Sequence, residues 1–441
     1  MAYFSLTRGG LALMGTTLLM LGACGEPEII LPGQRENIRG SGEPATLGLP
    51  SESKPIRLAA PTSNKSWPQS FGTEAFRVAH PALRPSPQLV WSADIGEGNS
   101  RRQRITASPV VAGGLIYTLD SAARVSAVSS GGGAVWSTDL VPAGEKEGQA
   151  TGGGMAYADG VLYVSSGYGL LTALDAKSGQ QRWQQKLNAT GSGTPTIRDG
   201  LIYLVAGDDT GWAIRTKDGR IAWQIQGTPS VGNVLGAPAP ALTSDLAIFA
   251  FGSGDISASF KKGGLGRWTS SVSGQRKGRA SALIGDVTGS PVVSGKRVFV
   301  GNHSGRTVAL NAVSGERFWT ADEGALGPIW PAGDSIFLVS DRNQLVRMNA
   351  SDGTVIWAKE LPGFVKDKPG KRGASYANYG PILAGGRVIV ASGDGNIRFF
   401  NPENGTMTAQ VPVPNGATSG PVVAGNTLYV VGAKGQLYAF R

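Results

Sequence analysis

The sequence predicts an all-β protein, an eight-bladed β-propeller made of four-stranded antiparallel blades. Glycine accounts for 66 of the 441 residues without a collagen period, which indicates many tight turns. One pattern of strands and turns recurs at intervals of about 40 to 50 residues, the period of a propeller blade. No stretch of this pattern keeps the apolar period of a helix, so an array of stacked helices is excluded.

The first half of each repeat reads as a β-hairpin. An apolar strand is followed by a turn with Gly, Asp or Asn and by a second apolar strand, as in SPVVAGGLIYTL from Ser108. These turn residues tolerate positive φ or bond to their own backbone, so the two strands are predicted to be antiparallel. Eight copies occur, and they begin at Ser108, Gly154, Thr194, Ala239, Ser290, Gly327, Gly380 and Gly420.

The second half of each repeat is a strand, a glycine-containing turn and a strand with a tryptophan, as in TALDAKSGQQRW ending at Trp183. An indole ring can bury about 150 Å² or more against a neighbouring sheet. A glycine on the facing turn leaves room for it. We interpret these tryptophans as packing between blades and not as a binding platform. They are Trp91, Trp136, Trp183, Trp223, Trp268, Trp319 and Trp357.

The two chain ends are predicted to complete one blade together. The last copy stops at Arg441 with three strands written, and QLVWSADIG around Trp91 supplies the fourth. Pairing of the N-terminal strand with the C-terminal strands would close the ring and remove exposed sheet edges. In the copy before the last, Ala409 takes the tryptophan position, so looser packing is expected there.

Residues 1–23 are predicted to be a lipoprotein signal peptide. Arg8 precedes an apolar run from Leu11 to Leu21, which is shorter than the roughly 20 residues that cross a bilayer as a helix. Leu21-Gly22-Ala23-Cys24 resembles a bacterial lipobox, in which the cysteine is acylated and becomes the first mature residue. An ordinary secretory signal with a chance cysteine is the alternative. Gly25 in place of Asp favours the outer membrane, with the protein facing the periplasm.

Residues 24–66 are predicted to be a lipidated flexible tether, and residues 67–441 the propeller. The tether is rich in Pro, Gly, Ser and Glu, a composition that does not bury a core. Cys24 is the single cysteine of the chain. Stability is therefore expected to come from a large core and not from disulfides.

The positive charge is spread over short clusters in a chain of which only 16% is charged and whose formal net charge is +10. A solvated surface is the usual role of such clusters, and an acidic protein face or anionic lipid is the functional alternative. Nucleic acid is not an expected partner in the periplasm. The clusters include Arg101, Arg102 and Arg104, and Lys366, Lys368, Lys371 and Arg372.

The repeat resembles a known family. Its Ala-x-Asp-x-x-Ser-Gly-x-x-x-Trp motif, from Ala173 to Trp183, is similar to the tryptophan-docking repeat of quinoprotein propellers. With the lipobox, the tether, eight blades and the chain length, it resembles the BamB family of lipoproteins in the outer-membrane β-barrel assembly (BAM) complex. SWPQSFGTEAFRVAH and ADGVLYVSSGYGLLTALD are similar to the alphaproteobacterial branch of that family.

The resemblance implies a non-enzymatic scaffold that binds the POTRA domains of BamA, the barrel subunit, and assists the insertion of β-barrel proteins. It places the partner contact on two loops. In the first, from Pro229 to Pro240, Val231 and Val234 take apolar contact positions and Leu235 replaces a family arginine. In the second, from Ser281, Asp286 matches a family acid and Thr288 replaces another. Asp286 is equally explained as a turn-capping residue.

Other function classes remain open. A dehydrogenase that uses pyrroloquinoline quinone would need calcium, a catalytic Asp and a disulfide between adjacent cysteines, which Cys24 alone cannot form. His80 and His303 have no nucleophile motif nearby and are expected to be surface or turn residues. No catalytic residue, metal cluster or cofactor is expected.

A propeller lipoprotein that binds another envelope component is a third class. Unfolded barrel strands could also add to a blade edge.

Overall fold

The computed structural model describes residues 50–72, 80–189, 193–230, 238–272, 274, 276, 285–368 and 370–441. The predicted signal peptide, Cys24 and three of the predicted contact residues, Val231, Val234 and Leu235, lie outside these ranges. The described residues contain thirty-two strands and one short 3-10 helix, Ser70–Gly72.

The strands form eight four-stranded antiparallel sheets, which we number as blades I to VIII. Blade I comprises β2(Val110–Ala112), β3(Leu115–Leu119), β4(Arg124–Ser129) and β5(Ala134–Asp139), and blade II comprises β6(Gly153–Ala158), β7(Val161–Ser166), β8(Leu170–Asp175) and β9(Gln181–Lys186). Blade III comprises β10(Thr196–Arg198), β11(Leu201–Val205), β12(Thr210–Arg215) and β13(Ile221–Gln226), and blade IV comprises β14(Ala241–Leu242), β15(Leu246–Ala250), β16(Asp255–Phe260) and β17(Gly266–Ser271).

Blades V to VIII continue the same order and end in a blade shared by both chain ends. Blade V comprises β18(Val292–Ser294), β19(Arg297–Gly301), β20(Thr307–Asn311) and β21(Arg317–Ala321), and blade VI comprises β22(Trp330–Ala332), β23(Ser335–Val339), β24(Gln344–Asn349) and β25(Val355–Glu360). Blade VII comprises β26(Asn378–Ala384), β27(Arg387–Ser392), β28(Asn396–Phe400) and β29(Met407–Pro412), and blade VIII comprises β30(Val422–Ala424), β31(Thr427–Gly432), β32(Gln436–Phe440) and β1(Leu89–Asp94). The predicted eight-bladed propeller is confirmed.

Burial decreases from the middle strands of a blade to its outer strand. All six residues of β7 are buried, whereas β9, the outer strand of the same blade, alternates exposed and half-buried residues. Such a gradient is expected when neighbouring blades cover both faces of the middle strands and the outer strand meets solvent. The core is therefore a series of interfaces between blades.

The ring closes as the sequence predicts. β1 pairs antiparallel with β32, with Trp91 opposite Ala439 and Asp94 opposite Gln436. Gln88 and Arg441 extend the pairing by exchanging two backbone hydrogen bonds of 2.8 Å. Strands from opposite ends of the chain thus lie in one sheet, in which β32 is paired on both sides and β1 forms the outer edge.

Each of the seven repeat tryptophans docks on the next blade around the ring. The indole Nε1 donates to a carbonyl oxygen of that blade's last turn, at distances from 2.9 Å for Trp223 to 3.2 Å for Trp268. The ring lies against a glycine of the same turn, such as Gly264 under Trp223. In blades I to V and in blade VIII, an alanine of the adjacent strand stands opposite the tryptophan.

Blade VII departs from this arrangement. Ala409 stands at the tryptophan position and Phe399 stands opposite it, so the large and small residues are exchanged. The turn that would receive a tryptophan from position 409 does not exist, because β32 and β1 belong to the two chain ends. The Phe399 ring is fully buried and lies 4.6 Å from the guanidinium carbon of Arg387.

Adjacent glycines in one turn allow a matched test of this docking. A Cβ on Gly264 would lie 2.7 Å from Trp223 Cδ2, whereas a Cβ on Gly263 would meet nothing within 4 Å, and both glycines have positive φ. We expect Gly264→Ala to lower the free energy of unfolding by about 1 to 3 kcal/mol more than Gly263→Ala, because only the first overpacks the interface. Urea denaturation of both variants measures the difference. Equal losses would show that the indole does not require the glycine.

Residues 50–72 form a segment, here called the strap, that crosses six blades. It starts on blade VI, where Ala358 N donates to Pro50 O at 2.8 Å, and reaches blade VIII, where Asn64 Nδ2 donates to Val423 O at 2.6 Å. It ends on blade III, where Ile197 N donates to Gln69 Oε1 at 2.9 Å. Residues 50–66, which the sequence analysis includes in the flexible tether, are thus hydrogen-bonded to the blades. The domain boundaries otherwise stay predictions.

Arg347 fastens the strap to blades VI and VII. Its guanidinium is fully buried and donates to the carbonyl oxygens of Lys54, Pro55, Pro402 and Glu403 at 2.5 to 3.2 Å. Its Nε donates to Ser335 Oγ at 2.9 Å. Burial lowers the pKa of Arg347 from its ordinary value. One side chain of a middle strand therefore links the strap to two blades.

Candidate functional site

The strand order gives the propeller two different faces. One, here called the turn face, carries the turns between the first and second strands and between the third and fourth strands of each blade. The other, the loop face, carries the remaining turns and the connections between blades. The strap lies on the turn face, since Gly425, in such a turn of blade VIII, donates its N–H to Asn64 O at 2.7 Å. The described ends of both predicted partner loops lie on the loop face.

The first partner loop, residues 227–240, connects blades III and IV and is fixed at its start by Asp209. This buried residue lies in a turn of blade III with φ of 60°. Its carboxylate accepts the N–H of Ser230 at 3.0 Å and the N–H of Gly252, in blade IV, at 2.9 Å. One carboxylate therefore joins the loop to turns of both flanking blades.

The second partner loop, predicted from Ser281, lies within the connection between blades IV and V, residues 272–291, and its described end is bonded to the end of the first loop. Ser290 Oγ accepts the N–H of Ala239 at 3.0 Å, and Thr196 Oγ1 donates to Pro240 O at 2.8 Å. The two loops that the resemblance pairs are thus adjacent, and a hydrogen bond couples their C-terminal ends.

Asp286 and Thr288 occupy covered positions in the second loop. Asp286 is only 5% exposed, and its carbonyl accepts the N–H of His303 at 2.9 Å. Thr288 is half-buried, and its Oγ1 donates to Leu326 O at 3.0 Å. The buried carboxyl of Asp286 offers a partner little surface, which makes a role in shaping the loop the more direct one.

An ion-pair network ties the connection that contains the second loop to blades V and VI. Arg276 pairs with Asp341 at 2.7 Å and with Glu323 at 3.4 Å, and Arg342 pairs with the other oxygen of Glu323. Burial raises the pKa of Glu323, and the two arginines oppose that shift. The hydrogen bond to Asp341 raises the pKa of Arg276. The sequence analysis missed this network, because its members come from three repeats at positions with no common motif.

A central cavity of about 600 Å³ runs between the first strands of the blades. Trp67 of the strap lines it and stacks on Trp330, with ring centroids 6.2 Å apart. Small and neutral residues make up most of the lining, together with Arg104 and His303, and none of the described lining residues is a carboxylate. The cavity thus lacks the acidic oxygens that hold a calcium ion in oxygen-ligand sites.

The two histidines differ in their surroundings. His303 lies in a turn, as expected, and burial lowers its pKa. The expectation of a surface or turn position is wrong in one respect for His80, which is only 6% exposed. Its Nδ1 contacts Ala59 O at 2.5 Å, and its Nε2 accepts the N–H of Gly386 at 2.6 Å. His80 joins the strap to blade VII through two backbone groups, a role with no motif in the sequence.

The described residues hold neither a metal-binding cluster nor a membrane-spanning helix. No group of three or more His, Cys, Asp or Glu side chains in the described ranges is arranged to hold a metal ion. Within the same ranges, no helix has the length and apolar character needed to cross a membrane.

Comparison with known proteins settles the family. A family model described as outer membrane protein assembly factor BamB matches residues 121–359 and 337–441, more than half of the chain. The chain belongs to the BamB family. The assembly factor BamB of Yersinia pestis is 24% identical over 363 residues, which cover 80% of this chain and 89% of the relative. BamB of Escherichia coli K12 is 25% identical over 360 residues, covering 80% and 88%.

Solved structures share the propeller fold with this BamB-family chain. The crystal structure of BamB from Moraxella catarrhalis has a TM-score of 0.65 at 18% identity and covers 81% of this chain and 100% of that one. A quinohemoprotein alcohol dehydrogenase from Comamonas testosteroni also has a TM-score of 0.65, at 14% identity, covering 87% and 81%. At such identities the likeness concerns the fold alone, because one propeller fold serves both assembly factors and enzymes.

Proposed function

We propose that this protein is a non-enzymatic scaffold lipoprotein of outer-membrane protein assembly. Acylated Cys24 anchors it to the outer membrane on the periplasmic side, and no cofactor takes part. Family membership supports the assembly role, since the relatives are named as outer membrane protein assembly factors. The proposed partner is the POTRA region of BamA, and unfolded outer-membrane proteins are possible clients.

The observation that carries the proposed contact is the coupling of the two partner loops on the loop face. Asp209 fixes the start of the first loop, and the Ser290–Ala239 hydrogen bond joins its end to the second. The Arg276–Asp341 pair holds the connection that contains the second loop against blade VI. Loops held at their bases by buried bonds lose less conformational entropy when a partner binds. The strap occupies the turn face, which leaves the loop face for the partner.

A matched pair of valine substitutions tests the contact. We expect Val234→Asp, in the first loop, to weaken binding to purified POTRA domains at least about tenfold, since burying a valine contributes about 1.5 to 3 kcal/mol. The control is Val313→Asp in a turn of blade V on the turn face, where Val313 is 61% exposed. It is expected to bind as the wild type does, and calorimetry measures both affinities. Wild-type affinity for Val234→Asp would place the contact elsewhere.

The enzyme alternative has its own test. A redox-dye assay with added pyrroloquinoline quinone and calcium is expected to show no turnover, because the described lining of the central cavity has no carboxylate to hold the metal. Quinone-dependent turnover would overturn the non-enzymatic proposal.

A further inference from the structure

The connection between blades VI and VII forms a hairpin of its own on the loop face. Phe364 bridges antiparallel to Ser375, and Val365 N donates to Ala374 O at 2.9 Å. At its base, Tyr376 N donates to Gly363 O at 2.7 Å. We call residues 363–376 the basic hairpin. Its described residues from 364 to 375 are all exposed.

The basic hairpin combines exposed apolar residues with excess positive charge. Phe364 and Val365 are each 46% exposed. The sequence from 363 to 376 holds four cations, Lys366, Lys368, Lys371 and Arg372, against one carboxylate, Asp367, a net charge of +3. Arg372 pairs with Asp367 at 2.9 Å and stacks over Phe364, 5.1 Å from its ring centroid. The excess charge therefore resides on the three lysines.

The basic hairpin follows β25, the strand on which the described part of the strap begins. Glu52 N donates to Ile356 O at 3.1 Å, and Pro50 O accepts from Ala358 N, so the start of the strap runs antiparallel to β25. β25 ends at Glu360, just before the basic hairpin, and Pro50 lies nearer to that end of the strand than Glu52 does. Twenty-five residues separate Pro50 from Cys24, the predicted acylation site, an extended reach of at most about 90 Å.

We propose that the basic hairpin binds an anionic phospholipid surface. Phe364 and Val365 enter the boundary between headgroups and acyl chains, and the three lysines contact lipid phosphates. An acidic protein face is the other candidate occupant. Lipid is favoured because the one arginine of the hairpin is already paired and stacked, whereas lysine ammonium groups are point charges that suit a diffuse layer of phosphates. The predicted acylation site, 26 positions before Pro50 in the chain, would hold the propeller within reach of such a surface.

The test uses the full mature chain with Cys24→Ser, so that no acyl chain contributes to binding. The chain with the wild-type hairpin is expected to sediment with vesicles of phosphatidylcholine mixed with phosphatidylglycerol. It is not expected to sediment with vesicles of phosphatidylcholine alone. The triple variant Lys366→Gln, Lys368→Gln, Lys371→Gln is expected to partition onto the mixed vesicles roughly a hundredfold more weakly. Each lysine near an anionic surface strengthens partitioning about fivefold, and three are removed.

The matched control changes the same net charge on the turn face. Lys177, Lys217 and Lys262 are exposed lysines in turns of blades II to IV, and their triple change to Gln is expected to keep wild-type binding. Phe364→Ser should weaken the binding that persists at high salt. Equal partitioning of the two triple variants, or equal binding to both kinds of vesicle, overturns the proposal. So does a hairpin variant that keeps vesicle binding and loses binding to POTRA domains, which identifies an acidic protein as the occupant.

Discussion

Truncation of the chain after Gly435 is expected to abolish the folded ring. It removes β32, which pairs with β31 on one side and β1 on the other. β1 then has no partner strand, and β31 keeps only β30. Leu437, Tyr438 and Phe440 are all buried, and together they contribute roughly 4 to 9 kcal/mol by apolar burial. A loss of that size is comparable to the whole stability of a typical domain, about 5 to 15 kcal/mol.

Thermal unfolding followed by circular dichroism measures the effect, with size-exclusion chromatography as a check for aggregates seeded by open strand edges. The control replaces residues 143–148, six positions in the connection between blades I and II of which five are exposed, with a Gly-Ser segment of equal length. That variant is expected to unfold cooperatively near the wild-type temperature. If the truncated chain also kept a cooperative transition near that temperature, the ring would not depend on joining its ends.

Replacement of Arg347 by methionine is expected to lower the free energy of unfolding by about 2 to 6 kcal/mol, at about 1 to 3 kcal/mol for each of two buried carbonyl oxygens left without a donor. Methionine keeps much of the volume but cannot donate, so the carbonyl oxygens of Lys54 and Pro55 in the strap lose their donor. In blade VII, Pro402 O still accepts from Trp357 Nε1 and Glu403 O from Lys54 N. Buried acceptors without donors carry the full cost of desolvation. The strap should then detach at its start while the blades remain paired. Limited proteolysis within residues 50–66 reports that detachment separately from global unfolding.

Arg182→Met is the matched control. Arg182 also forms an ion pair, at 2.7 Å to Asp175, but its side chain is 47% exposed. Exposed pairs contribute about 1 kcal/mol or less, so this variant should unfold near the wild-type urea concentration. Should Arg347→Met match it in both unfolding and protease resistance, the strap would be held by its backbone bonds alone.

The repeat made the ring predictable in detail. Gly264, Trp223 and the alanine opposite the tryptophan are each marked by residue type, and they recur at fixed positions from blade to blade. The anomalies in that pattern were also visible: Arg347 and Phe399 both stand where other blades have alanine. What each does there was not evident, because the partners of Arg347 are mostly carbonyl oxygens, which every residue carries.

The position of the proposed partner contact came from the resemblance and stays a prediction. The resemblance placed it on two loops, and the structure shows these loops to be neighbours joined by Ser290 and Ala239. The sequence left two roles open for Asp286, since a turn-capping aspartate and a contact aspartate look alike in sequence, and its burial is a tertiary feature. The Arg276–Glu323–Asp341 network joins residues up to 65 positions apart, which no local pattern reports.

By itself, the sequence determined the number of blades, their strand order and the closure by the two ends. Each blade is encoded by local turn chemistry and by alternating apolar residues, so its information lies within about 40 to 50 consecutive residues. Only the tertiary structure decided the course of the strap, the burial of His80 and Arg347, and the coupling of the partner loops. Those features depend on backbone groups brought together from as far apart as Lys54 and Arg347, and backbone groups leave no residue-specific mark on the sequence.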